Sequence, residues 1–381
     1  MIYVLWIVIL LSSSYVFLIY SFLRHWELLP EWKPPLYWKA GKTKVSVIIP
    51  ARNEAENIES CLSSLIQQDY PSELFEIIII DDHSTDKTPV MVTAFNAKNV
   101  KLFRLADHPV HTQNSYKKAA LELGISQAMG DLIVTTDADC IAEQTWLSYL
   151  VSYHEVTGKK LIAAPVIFHG DHTLLEQFQA LDYMGMMLMT GAGIHGGFLS
   201  MSNGANLAYL KKVFQQVNGF EHIDQLASGD DLLLVQKILK KQADAMGFVK
   251  STEATIKSLP QHSWRTFFQQ RLRWAGKSTV YTDNTLKVVQ MIVFFICAVI
   301  ILLPIASIWL GGNAIFTAIG LFMVKALADF ILLKRAAVFF NRSDLMRIFI
   351  PAEFIHTFYI FVVGMVSTFV KSYKWKGRRV R

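Results

Sequence analysis

Apolar positions along the chain fall into three patterns with different periods. Residues 1–23 form an uncharged apolar run, followed directly by Arg24 and His25, that is long enough for a membrane-crossing helix. Residues 26–42 carry Pro30, Pro34 and Pro35, which argue against a continuing helix, so 24–44 reads as a connector along the membrane surface. From Val45 short β-branched runs alternate with segments of helical spacing. Residues 45–49, 75–80, 100–105 and 132–136 predict strands, and 58–66 and 117–128 predict helices. This rhythm predicts an α/β domain over 45–260 with a mostly parallel sheet and helices on both faces.

The rhythm loosens over 161–257. Within it, 174–197 is rich in Met, Phe and Gly, which suits either packing or a pliable wall for an apolar acceptor. Residues 261–287 contain an amphipathic helix with Trp264, Phe267, Phe268, Arg271 and Trp274 placed for a membrane interface. Three further apolar runs, 288–310, 314–333 and 348–369, are each long enough to span and lead to a basic tail, 371–381. Lys325 and Asp329 lie one helical turn apart in the second of these, as an ion pair facing protein or as part of a lipid or sugar path. Glu353 and His356 in the third run carry the same two readings.

Composition agrees with a chain partly in lipid: 52% of residues are hydrophobic, 18% are charged and the mean hydropathy is +0.31. The net charge of +6 gathers beside apolar runs, at Lys334, Arg335, Arg342 and Arg347, and in the tail. That distribution fits lipid headgroups as partner and leaves no basic soluble face for nucleic acid. The cysteines Cys61, Cys140 and Cys297 are odd in number and scattered, which suggests neither a disulfide framework nor a zinc cluster and suits a reducing compartment. The first run lacks a basic start and a small-residue cleavage site, so it is expected to be a retained anchor, with its positive flank and the following domain in the cytoplasm. Three later spans would then put the basic tail outside, which leaves the topology of the last run open.

Four polar stretches carry candidate chemistry. Asp137-Ala138-Asp139 follows a strand and offers two hard oxygen ligands for Mg²⁺ or Mn²⁺, with open positions for phosphate oxygens. Asp81 and Asp82 end another strand, as a helix-capping cluster or as contacts to a base or ribose, and Pro50-Ala51-Arg52-Asn53-Glu54 occupies the loop after the first. Asp230 and Asp231 precede a helical run, as a cap or as a general base. Gln270-x-x-Arg273-Trp274 supplies a cation beside an aromatic plate, as an interfacial anchor or as a diphosphate and sugar contact.

The ordered set resembles the membrane-bound family 2 glycosyltransferases, inverting enzymes with a GT-A, Rossmann-like fold. The likeness runs from about Val45 to Ser278 and includes Ile49-Pro50-Ala51-Arg52-Asn53-Glu54, Gln68-Asp69-Tyr70-Pro71 and Lys117-Lys118-Ala119-Ala120-Leu121. It implies transfer from a nucleotide-sugar, usually a UDP-sugar, with Mg²⁺ or Mn²⁺. It further implies that Glu54 and Asp82 or Asp81 contact the nucleoside, that Asp139 is the surer metal ligand of its pair, that Lys117 contacts phosphate and that Asp231 is the base. Gln270, Arg273 and Trp274 match the motif that closes over diphosphate and acceptor. Tyr116 stands where relatives often carry Gly, and the long gating segment of cellulose-synthase-like enzymes is not evident. A single transfer to a lipid or lipid-linked acceptor is the leading expectation; a processive polysaccharide synthase and a non-catalytic membrane subunit are the alternatives.

Overall fold

The computed structural model describes residues 2–39, 41–108, 115–170, 172–224, 229–276, 283–311, 313–369, 373–375 and 378–380. The chain forms two units. One is helical, with Met1–Leu28, Gly170–Leu199 and Pro260–Tyr373; the other is α/β, with Leu29–His169, Ser200–Leu259 and Lys374–Arg381.

The helical unit contains the long helices Ile2–Leu28, Leu174–Gly196, Asn284–Leu310, Asn313–Phe339 and Phe349–Ser367 and the shorter Trp264–Ala275. Four segments, Tyr3–Leu28, Asn284–Trp309, Asn313–Phe339 and Ser343–Ser367, are long and apolar enough to cross a membrane. The first helix continues past its uncharged run because Trp26 is buried, its ring meeting that of Phe339 edge-on at 5.0 Å. The break comes where the prolines begin.

The segment 174–197, expected inside one continuous domain, instead belongs to the helical unit as the single helix Leu174–Gly196 and its C-cap Gly197. The chain leaves the α/β unit at Gly170 and returns at Ser200. A capping box starts that helix: Thr173 Oγ1 accepts the Glu176 N–H, and the Glu176 carboxylate accepts from the Thr173 backbone. Met184 and Met187 are buried in packing. Gly185 permits close approach to Asn313–Phe339, since a Cβ there would lie 2.8 Å from Leu333 Cδ2. In Trp264–Ala275, the Phe267 and Arg271 expected at a membrane interface are buried, at 0% and 4% exposure. Their burial follows from an aromatic cluster with Phe178 and Tyr359 and from a carboxylate partner described below.

The α/β unit has strands β1 (Val45–Ala51), β2 (Phe75–Asp81), β3 (Val100–Arg104), β4 (Leu132–Thr135), β5 (Ile141–Ala142), β6 (Leu161–Ala163), β7 (Val166–Phe168), β8 (Leu207–Leu210), β9 (Met246–Phe248) and β10 (Ile256–Ser258). One sheet has the order β3-β2-β1-β4-β8-β6-β9, and β5-β10-β7 form a second. The first four strands are parallel, as the solid β-branched runs require: Val47 to Ile49 and Ile77 to Ile80 are fully buried. The sheet is mixed beyond them. Strand β8 is antiparallel to β4 and β6, because the returning chain starts it beside the end of β4, with Leu207 opposite Thr135, and it can only run back.

Pro50 and Ala51, expected in a loop, are paired in β1 opposite Ile80 and Asp81. Pairing with β4 has ended by Thr135, opposite Ile48, so Pro50 has a strand partner on one side only and its missing N–H is tolerated. The connector is tied to the α/β unit through Glu155, whose carboxylate accepts from the Trp38 indole at 2.7 Å and from the N–H groups of Lys42 and Thr43.

At the opposite end of the sheet from the acidic motifs, Glu76 fastens three segments. Its carboxylate accepts from Ser46 Oγ at 2.6 Å, the Met129 N–H at 2.6 Å and Lys101 Nζ at 2.7 Å. Burial raises the Glu76 carboxyl, but these donors outweigh it and hold the group below its ordinary value of 4.5. Its contribution to stability is therefore complete above about pH 4.5 and is lost as pH falls through the lower folded value. Glu76→Gln is expected to cost about 1–3 kcal/mol at neutral pH and to flatten the acid limb of the stability profile, as measured by thermal unfolding across pH 3–7. An unchanged acid limb would contradict this role.

Candidate active site

Two loops meet at the carboxyl ends of β1 and β2. Arg52 Nη1 donates to the carbonyls of Asp82 and His83 at 2.8 and 3.0 Å, and the Asp82 N–H donates to the Ala51 carbonyl. Asn53, at φ 52°, takes the Thr85 N–H on its side chain, and the Glu54 N–H donates to Thr88 Oγ1 at 2.8 Å. Asp86 ties the same corner by accepting from the backbones of Ala55 and Thr88. Asp81 and Asp82 are both buried. Asp81 accepts the Ser84 N–H and so shapes the turn, while Asp82 faces His83 Nδ1 at 3.0 Å. Glu54 is half-buried and accepts from Asn57 Nδ2. The five nucleoside-side candidates Pro50, Ala51, Glu54, Asp81 and Asp82 thus share one corner.

A second cluster surrounds Lys117, in the first turn of helix Tyr116–Gln127. Its ammonium donates to Asp137 Oδ1 at 2.8 Å and lies 3.4 Å from Asp230 Oδ2. Tyr116, preceding it, packs edge-on against His83, with ring centroids 5.8 Å apart. Burial lowers the Lys117 ammonium's pKa, but Asp137, Asp230 and Asp231 outweigh it and hold it above the ordinary lysine value, so it stays charged at working pH. Asp231 caps helix Leu232–Lys241: its Oδ1 accepts the Leu232 N–H at 2.7 Å and its Oδ2 the Gly204 N–H at 3.0 Å. Gly204 lies against the whole group, since a Cβ there would stand 3.3 Å from Asp230 Oδ2 and 3.8 Å from Lys117 Nζ. Two acidic motifs far apart in sequence thereby converge on one cation.

Asp137 and Asp139 are half-buried on either side of the buried Ala138. Among the described residues no group of three or more His, Cys, Asp or Glu side chains forms a closed metal cage. The pair nonetheless fits a hard divalent ion that keeps open positions for a ligand's own oxygens. Gln270, Arg273 and Trp274 lie in the helical unit, on helix Trp264–Ala275. Gln270 Oε1 is buried with no hydrogen-bond partner, and the Trp274 ring lies 4.6 Å beneath the Arg271 guanidinium.

Sequence reasoning passed over Gly204, Thr88 and Asp182, and it read Arg271 as a membrane-interface residue. The Asn203-Gly204 turn signal could have pointed to the first; nothing local marks the others.

A mixed sheet whose parallel strands end in acidic loops, with the reversed β8 beside them, defines a GT-A-type glycosyltransferase domain. The chain belongs to the family 2 glycosyltransferases: residues 132–333 match the model for glycosyl transferase family group 2, and residues 46–215 that for glycosyl transferase family 2. It is 25% identical over 278 residues to the probable glycosyltransferase YdaM of Bacillus subtilis, covering 71% of this chain and 63% of that protein. It is 35% identical over 117 residues to the dolichyl N-acetyl-alpha-D-glucosaminyl phosphate 3-beta-D-2,3-diacetamido-2,3-dideoxy-beta-D-glucuronosyltransferase of Methanococcus voltae, covering 30% of this chain and 35% of that one. The chain therefore spans less than two-thirds of these relatives. Among solved structures, the mannosyltransferase PcManGT of Pyrobaculum calidifontis, in complex with GDP-Man and Mn²⁺, shares the fold. Its TM-score is 0.55 at 18% identity, over 96% of this chain and 99% of that one.

Cys61 and Cys140 flank the Asp137/Asp139 pair, with Cys61 Sγ 3.7 Å from the Asp137 carbonyl oxygen and Cys140 Sγ 3.6 Å from Asp139 Oδ1. Burial pushes both thiols up, and the Asp139 and Asp137 carboxylates push them further. Iodoacetamide at pH 8 is expected to leave both unlabelled in the native protein and to label both in denaturant, read by peptide mass. Stoichiometric native labelling of either would contradict the charge distribution described.

Proposed function

We propose that this chain is an integral-membrane, inverting glycosyltransferase that moves one sugar from a nucleotide-sugar, in the first instance a UDP-sugar, to a lipid or lipid-linked acceptor. The observation that carries this reading is the convergence of Asp137, Asp230, Asp231 and Gly204 on Lys117 at the strand ends. The four apolar segments support an acceptor in the bilayer, and the charge after the first of them supports a cytoplasmic α/β unit.

In the mechanism, Glu54, Asp81 and Asp82 hold the nucleoside at the end of β1 and β2, beside Pro50 and Ala51. Asp139, with Asp137, would hold Mg²⁺ or Mn²⁺, whose Lewis acidity would offset charge on the departing diphosphate. Lys117 adds a fixed positive charge at the same place, and Arg273 offers a bidentate fork to phosphate oxygens. Asp231, with Asp230 beside it, takes the proton of the acceptor hydroxyl. The acceptor oxygen then bonds to the anomeric carbon as the bond to the diphosphate oxygen breaks on the opposite face, through an oxocarbenium-like transition state. Gln270 and Trp274 orient the acceptor and donor sugars.

Membranes containing the full chain, incubated with a panel of labelled UDP- and GDP-sugars with Mn²⁺ or EDTA, should yield metal-dependent label in the organic phase. Asp231→Asn, which keeps one of the two oxygens that accept from the Leu232 and Gly204 N–H groups, should lower that transfer about 10²–10⁴-fold. High-mass aqueous product would convert the reading to a polysaccharide synthase, and full transfer by Asp231→Asn would remove the proposed base.

A further inference from the structure

Arg271, inside the Gln270-x-x-Arg273-Trp274 motif but not one of its defining residues, is the buried cation of its helix, at 4% exposure. Its Nη2 donates to Asp182 Oδ2 at 2.9 Å, and its guanidinium lies 4.6 Å from the Trp274 ring centroid, 5.0 Å from that of Phe267 and 5.6 Å from that of Tyr359. Its Nη1 donates to Met186 Sδ at 3.8 Å, and Nε is buried with no hydrogen-bond partner. Asp182 is held in turn from a second helix by the Tyr359 hydroxyl, 3.4 and 3.5 Å from its two oxygens, with His356 Nε2 at 4.0 Å.

The chain of contacts continues into the apolar helices. His356 Nδ1 lies 3.2 Å from Lys325 Nζ, which donates to Glu353 Oε1 at 2.5 Å and to Asp329 Oδ2 at 2.7 Å, and Tyr15 of the first helix donates to Asp329 Oδ1. A charged group out of water tolerates few positions, because moving it off its partner leaves both charges unpaired. The rings of Trp274, Phe267 and Tyr359, all within 5.6 Å of the guanidinium, confine it further. On a helix turning about 100° per residue, an Arg271 fixed inward places Arg273 about 200° round, on the opposite face, and Trp274 back near the Arg271 side. Arg273 is half-buried and Arg271 is buried, as that rotation requires.

We propose that the Asp182–Arg271 pair is the positioning element of this motif: it fixes the rotation of helix Trp264–Ala275 and with it the direction in which Arg273 is presented. The proposal rests on the reading above in which Arg273 contacts the donor diphosphate. The pair touches no substrate itself and acts through Arg273.

The test is a double-mutant cycle on the full chain in nanodiscs, reading kcat and KM for the donor that the panel identifies. Arg271→Met should lower kcat/KM about a hundredfold in the parent and change it less than about twofold in an Arg273→Ala background. Asp182→Asn, an isosteric change, should show the same pattern at smaller amplitude and carries the test where Arg271→Met does not fold. Equal losses in both backgrounds would assign the pair to packing alone and overturn the proposal, as would no loss in the parent. Full activity of Arg273→Ala by itself would instead overturn the reading of the motif on which the proposal stands.

Discussion

Mutual repulsion of carboxylates is the constraint around which the α/β unit is organised. Asp137, Asp230 and Asp231 come from two loops widely separated in sequence, and they are held within reach of one another by the ammonium of Lys117 and by backbone N–H groups from Gly204 and Leu232. Without those donors the like charges would repel one another and the cluster would open. In the proposed reaction the same charge density is what a divalent ion and a diphosphate meet on arrival.

The scaffold holds that cluster by fixing backbone rather than side chains. Asn206, fully buried just after Gly204, donates to the carbonyls of Pro165 and Ala254 and accepts from the Trp146 indole, so the loop entering β8 cannot shift without stranding several polar groups. Thr135 Oγ1 donates to the Gly204 carbonyl and ties the same loop to the end of β4. Rigid strands thus deliver the acidic loops, and a short polar-anchored loop delivers the N–H that orients Asp231. In the helical unit a comparable arrangement surrounds Arg271, where aromatic rings and one carboxylate define the rotation of a helix.

Much of this was legible in the sequence, for physical reasons that vary by element. The strands β1, β2 and β4 were readable because burial on both faces demands solid β-branched runs, and the acidic motifs were readable because they stop those runs. Helix Leu174–Gly196 was not recognised as one helix of another unit, since it is buried nearly all round and carries no amphipathic period. The reversal of β8 and the meeting of Lys117 with Asp230 are long-range consequences of topology that no spacing encodes. Arg271 read as an outward residue of an amphipathic helix; its partner Asp182 lies 89 positions away and gives no local signal.

The proposed function requires the Asp137/Asp139 pair, set beside Lys117, to bind a divalent ion together with a nucleoside diphosphate. The most direct test follows the loss of the free Mn²⁺ electron paramagnetic resonance signal as purified protein is added, with UDP or GDP present, for the parent chain and for Asp139→Asn. The account predicts saturable Mn²⁺ binding by the parent, strengthened by one of the nucleotides, and its loss in Asp139→Asn. Equal binding by both proteins, or none by the parent with either nucleotide, would contradict it.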